Sequence, residues 1–210
     1  MWSIVQAAGW PIWFLIIASV ITVALILERV RALRASQVLS PLALNDAVAL
    51  VDSGDTGNRE ALGGLIAQGS VGAVLAAGAY ATPNGTAAMR VAMEDALHLQ
   101  AHGLNRYLPA LGTIAGVAPL LGLFGTVIGM IETFGAQTPS GMNPAQLAHG
   151  ISVALYNTAL GIFVAIVALL AYRILRSRVE GFMLAIEAEA GSLVREAQAR
   201  NVPQTTGLRP

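Results

Sequence analysis

Two threonines, Thr126 and Thr158, each stand inside a long apolar run with no charged side chain between its ends. A hydroxyl can donate and accept a hydrogen bond, but it does not carry a proton of its own at neutral pH. The chemistry open to such groups is solvation: holding water, or a carboxylate from a neighbouring helix, where both are otherwise excluded. The local alternative is that a membrane threonine bonds a carbonyl of its own preceding turn. Residue type leaves both readings open. Tyr156 and Asn157 sit beside Thr158 and either line the same path or bond across helices to fix packing. Glu132 closes the run that holds Thr126; it reads as a solvated interfacial carboxylate or as an outer entry point for protons.

Helices of membrane-spanning length must position these groups. Leu108 to Ile131, between Arg106 and Glu132, is one such run, and Trp10 to Leu27 and Ile151 to Tyr172 are two more, each near the roughly 20 residues a spanning helix needs. Hydrophobic residues make up 55% of the 210-residue chain and charged residues 11%, which places it in the membrane class. Gly112, Ala115, Pro119, Gly122, Thr126, Gly129 and Thr133 recur at steps of three and four, a spacing that gathers small and hydroxylated groups on one helical face. Gly112, Pro119, Gly122, Gly125, Gly129 and Gly161 are the expected helix-packing or pore-facing positions, because small residues let backbones approach or leave room along a path. The face Ala154, Thr158, Gly161, Ala165 and Ala168 reads as a packing seam with Thr158 as its functional exception. In antiparallel spans both threonines lie about 10–12 Å from the outer ends, at a shared depth.

Orientation follows from the arginines. The chain has no lysine, and its 12 basic residues all fall within 29–106 or 173–209. The positive-inside rule puts the N-terminus outside, the middle segment inside, the loop after Glu132 outside and the C-terminus inside. Trp2, Trp10 and Trp13 suit the outer interface and Glu28 with Arg29 or Arg31 the inner one. No basic residue precedes the first run, so it is expected to stay as an anchor rather than be removed as a signal peptide. The resulting layout is an all-α membrane protein with three transmembrane helices, two of them extended into the cytoplasm as a long helical bundle. Its expected segments are 1–31 (outer N-terminus and first span), 32–107 (cytoplasmic helices), 108–134 (second span), 135–149 (short periplasmic loop), 150–200 (third span and cytoplasmic helix) and 201–210 (disordered tail). Within the middle segment, Ser40-Pro41 is expected to start a helix and Asp52 to Gly57 to end it. Short helices follow near 58–67 and 70–80, then a turn at Pro83-Asn84-Gly85. Thr86 is expected to cap a helix running through Arg90, Glu94 and Arg106 into the second span. Beyond Arg178 an apolar stripe from Val179 to Val194 continues the third span, giving a helix of about 50 residues, on the order of 75 Å.

Several functions are excluded. Zero net charge gives no basis for binding nucleic acid. No cysteine is present, so disulfides and thiolate metal sites are absent. Glu94, His98 and His102 share helical spacing, but a metal site wants about four converging ligands, so neither metal nor cofactor is expected. No nucleophile–base pair points to an enzyme. A substrate transporter would show repeats or paired broken helices.

Ala118-Pro-Leu-Leu-Gly-Leu-Phe-Gly-Thr-Val-Ile-Gly129 and Gly150-Ile-Ser-Val-Ala-Leu-Tyr-Asn-Thr-Ala-Leu-Gly161 carry a resemblance to the MotA/TolQ/ExbB proton-channel superfamily. The three-span layout resembles its ExbB and TolQ members. The resemblance implies a multi-pass protein of the bacterial inner membrane, with an oligomer, most often a pentamer, around a one-span partner of the ExbD/TolR type whose membrane aspartate carries the proton. It also implies a TonB- or TolA-like protein that is powered. On this reading Thr126, Thr158, Asn157 and Tyr156 line the ion pathway. A TolQ-like envelope-maintenance motor and a sodium-driven stator fit the same layout, and a non-conducting scaffold is the reading from another class. One departure matters: many ExbB and TolQ relatives place a glutamate where this chain has Val153. The titrating group would then have to come from the partner.

The arginine placement makes a direct prediction. Cysteines substituted at Arg59 and Arg195 should resist an impermeant thiol reagent in intact spheroplasts, while one at Gln137 reacts. Labelling at position 59 would reverse the assigned topology.

Overall fold

Every regular element among the described residues, 9–135 and 144–201 of the computed structural model, is helical. In chain order these are α1 (Ile12–Ala32), α2 (Ala35–Val38), α3 (Ala43–Ser53), α4 (Arg59–Ile66), α5 (Ser70–Ala81), a 3-10 turn (Thr82–Asn84), α6 (Thr86–Asn105), α7 (Leu108–Gly135) and α8 (Pro144–Asn201). Expectations for Trp2, Gln137, the centre of the loop after Gly135 and the last nine residues lie outside the described residues. The chain divides into two units, Met1–Val30 with Tyr107–Arg176 and Arg31–Arg106 with Ser177–Pro210. The first is the membrane unit, and the second is a helical bundle beyond the membrane.

Three membrane-spanning helices, α1, α7 and the first part of α8, form the membrane unit. Leu15 of α1, fully buried, packs with Ala118 of α7 and with Val164 and Ala165 of α8. One turn earlier, Ile12 packs with Val153. Many of the remaining aliphatic and aromatic side chains face outward, among them Ile17, Leu120 and Phe163. That is the expected distribution for a unit solvated by lipid, where apolar surface gains little by turning inward. Trp10 meets Phe14 and Phe124 edge-on, with ring centroids 5.8 and 5.9 Å away, and joins the start of α1 to α7. Pro119 lies inside α7 without ending it, as membrane helices tolerate when neighbouring helices support them.

Two boundaries differ from the sequence expectation. The second span does not continue α6, because the chain breaks at Arg106 (φ −50°, ψ 138°) and Tyr107 (φ 63°). Pro109 explains the break: it has no N–H to offer the carbonyl of Asn105, and its ring crowds that carbonyl. The left-handed conformation of Tyr107 costs about 1–2 kcal/mol, so other contacts must hold it. α8 begins at Pro144 rather than near Gly150 and runs unbroken for 58 residues, about 87 Å.

In the bundle, α5 is the central helix. Val71, Val74, Leu75, Ala76 and Ala79 are buried there, and Met89 and Met93 of α6 are buried with them. Asn58 caps α4, its Oδ1 accepting from the backbone N–H groups of Glu60 (3.0 Å) and Ala61 (3.3 Å). Gly54 ends α3 with φ 69°. Ser40 is not the cap residue of α3, which starts at Ala43; its hydroxyl accepts from the Leu42 N–H at 3.4 Å and donates to Gln68 Oε1 at 3.0 Å. Thr86 is the first residue of α6 rather than its cap, because Gly85, at φ 92°, makes the turn. The far part of α8 buries Val179, Ile186, Leu193 and Val194, and Arg200 pairs with Asp52.

Gly72 tests the packing of this bundle. A Cβ there would overlap the carbonyl of Leu65, which is backbone and cannot rotate away. Gly72→Ala should therefore destabilise the bundle by about 1–3 kcal/mol, seen as a lower thermal midpoint of the full chain. Gly63→Ala, with open space around it, should not.

Candidate functional site

Glycines set the geometry between α7 and α8. A Cβ on Gly122 would lie 2.8 Å from the Asn157 carbonyl oxygen and 3.0 Å from the Thr158 Cα. One on Gly161 would lie 2.6 Å from the Ala118 carbonyl oxygen and 3.0 Å from the Gly122 Cα. Gly125 accommodates the Asn157 side chain, whose Cβ would be 2.7 Å from an added methyl group, and Gly129 lies against Ala154. A Cβ on Gly150 would overlap Thr133, and one on Gly112 would lie 3.7 Å from the ring of Tyr172. Contacts thus run from Gly112 to Thr133 along α7 and from Tyr172 back to Gly150 along α8, an antiparallel seam in backbone contact. Lipid supplies no hydrophobic drive between helices, so this close fit and its dispersion contacts supply the attraction.

The seam passes through Gly112, Gly122, Gly125 and Gly129 of α7, and Thr126 stands at its edge. Ala118, Gly122 and Gly125 are buried, while Thr126 lies at the border of an open depression of about 500 Å³ shared with Val127, Met130, Ile131 and Phe134. Gly125 stands opposite Asn157, so Thr126 and Thr158 fall on neighbouring levels, within about 3 Å along the axis. Asn157 is 1% exposed. Tyr156 is half-exposed and turned away from the seam. Glu132 is exposed, and its Oε2 reaches towards Gly9, before the start of α1. Val153 is buried with Ile12 and has Ile16 and Leu160 against it. A carboxylate there would meet apolar side chains of α1. Glu94, His98 and His102 are exposed on α6, and no potential metal-binding group of three or more residues occurs among the described residues.

The described threonine hydroxyls of the membrane unit, together with that of Ser152, separate into two kinds. Thr22 donates to Ala18 O (2.7 Å), Thr113 to Pro109 O (3.0 Å), Thr126 to Leu123 O (2.6 Å), Thr133 to Gly129 O (2.7 Å) and Ser152 to Ala148 O (2.9 Å). Each is satisfied by its own helix, the local pattern common for membrane hydroxyls. Thr158 differs: its Oγ1 is buried and has no hydrogen-bond partner among the described residues. A buried hydroxyl left this way costs roughly 1–3 kcal/mol. Sequence alone treats Thr126 and Thr158 as equals, and only the helix register separates them.

Residues 67–188 match the model of the MotA/TolQ/ExbB proton channel family. The chain belongs to this family. The match covers the seam and Thr158, and it leaves α1 outside. Among curated proteins, the Tol-Pal system protein TolQ of Haemophilus influenzae is 40% identical over 106 residues, 50% of this chain and 45% of that protein. TolQ of Pseudomonas aeruginosa is 40% identical over 90 residues, 42% of this chain and 39% of the relative. The biopolymer transport protein ExbB of Pseudomonas putida is 41% identical over 73 residues, 34% and 22% of the two chains. Each match spans less than half of the relative's own length. The chain is a multi-pass membrane subunit of a channel family rather than an enzyme.

Within the seam, Gly122→Ala and Gly161→Ala each place a methyl group against backbone atoms. Each should lower stability in detergent by about 1–3 kcal/mol, measured by denaturant titration of helicity. Gly116→Ala, with nothing within 4 Å, should behave as wild type.

Proposed function

We propose that this chain is the multi-span, ExbB-like subunit of an ion-driven complex in the bacterial inner membrane, with its N-terminus periplasmic and C-terminus cytoplasmic. Copies of the chain form a ring, a pentamer, around a one-span ExbD/TolR-like protein. Ion flow through that ring powers a TonB-type partner and so transport across the outer membrane. The names of the TolQ and ExbB relatives support this reading. Gly112, Pro119, Gly122, Gly125, Gly129 and Gly161 serve close packing in it, and Glu132 is the outer entry point for protons.

One observation carries the reading: Thr158 keeps a buried hydroxyl without a partner among the described residues, inside a span that contains no charge. A polar group left unsatisfied in a membrane marks a pathway more often than a scaffold. The hydroxyl can donate to a partner carboxylate or to water beside it, with Asn157 next to it in the seam, while Tyr156 faces away from the seam. Thr126, with its hydroxyl engaged at Leu123 O, serves after that bond exchanges. Val153 brings no acid, so the titrating group is the partner's.

The test removes hydroxyls at nearly constant volume. A hydrogen bond to a charged group contributes about 1.5–3 kcal/mol, so Thr158→Val should reduce ion flux and powered transport about tenfold or more while the ring still assembles. Thr158→Ser should retain most activity. Thr126→Val should fall between them. Full transport by Thr158→Val at normal protein levels would refute the pathway.

A further inference from the structure

Arg29 differs from the other arginines near the ends of the spans. It is 4% exposed, whereas Arg31, Arg173 and Arg176 are exposed. An arginine at a membrane boundary ordinarily extends its charged group to water. Here the guanidinium forks onto Glu28, with Nε–Oε2 at 2.5 Å and Nη2–Oε1 at 2.6 Å. The two residues are consecutive on α1 and would otherwise point about 100° apart, so the pair draws both side chains to one side. The guanidinium also lies over the ring of Tyr107, 5.3 Å from the centroid. A planar guanidinium can make both contacts at once, where an ammonium cannot.

Tyr107 is where α7 begins. Its carbonyl accepts from the N–H of Leu111 at 3.3 Å, closing the first turn. It is also the only non-glycine residue with positive φ among the described residues, an uncommon conformation for a bulky side chain. Leu108, next to it, is 2% exposed. The strained residue and the buried cation therefore meet at one point, where α1 ends and α7 starts.

We infer that Arg29 is a positioning residue for α7. Stacked on Tyr107 and forked to Glu28, it holds Tyr107 in the left-handed conformation and thereby fixes the residue from which α7 enters the membrane. The register of the Gly122–Gly161 seam and the level of Thr126 follow from that starting point. All of these contacts lie within the membrane unit, and the inference does not depend on which ion the chain passes or whether it passes one.

Hydrogen exchange of the Ala110 and Leu111 amides, in the full chain in lipid nanodiscs, tests it. Arg29→Gln and Tyr107→Leu should each speed exchange about tenfold, the scale of a desolvated cation–π contact. The double variant should exchange no faster than either single one, and Tyr107→Phe, which keeps the ring face, should stay within about twofold of wild type. In a Tyr107→Gly background, where the left-handed conformation is unstrained, Arg29→Gln should have no further effect on these amides. Unchanged exchange in Arg29→Gln, or a double variant whose effect equals the product of the two single effects, would overturn the inference. If Arg29→Gln fails to fold, the tyrosine variants decide: equal exchange in Tyr107→Phe and Tyr107→Leu overturns it, and the expected difference between them supports it.

Discussion

Backbone contact between α7 and α8 is the constraint on which the membrane unit depends. In water two helices can be held together by whatever apolar area they hide, but lipid offers no such gain. What remains is fit, and fit requires small residues. At Gly122 and Gly161 the two backbones are so close that a single methyl group on either has no place. The same closeness brings Asn157 into the notch at Gly125 and buries the Thr158 hydroxyl. A looser crossing with leucines at the seam would hold the helices farther apart and leave no reason for a polar group at that depth.

The absence of charge follows the same logic. Val153 sits where α1 covers α8, against Ile12 and Ile16, so an acid there would have to be neutral or displace α1. The chain thus provides a packed frame in which, among the described residues, the Thr158 hydroxyl has no partner. That is a suitable setting for a titrating group carried by another protein, because no acid at the depth of Thr158 competes with that group for its proton.

Much of this was legible in the sequence, for identifiable reasons. The three spans follow from the length of the apolar runs, since few other structures need about 20 uninterrupted apolar residues. Gly122, Gly129 and Gly161 announce close packing because glycine has little other use inside a membrane helix. The place of Thr126 was less legible: Gly125 and Thr126 are neighbours only about 100° apart, and only the packing puts Gly125 against Asn157 and Thr126 at the edge of the seam. The break at Tyr107 was hidden because Pro109 fits the first turn of a new helix as well as a kink in an old one. Nothing local predicts positive φ for a tyrosine; the cation that stabilises it comes from Arg29, far away in sequence. Thr126 and Thr158 look alike as residues, and their difference exists only once the seam decides which carbonyls each hydroxyl can reach.

α8 has one more consequence, and it concerns the backbone. Because α8 is a continuous helix, each backbone N–H past its first turn is committed to the carbonyl four residues before it. Backbone groups at the level of Thr158 are therefore not available to a guest ion or carboxylate. Whatever arrives at that depth has only side chains to meet.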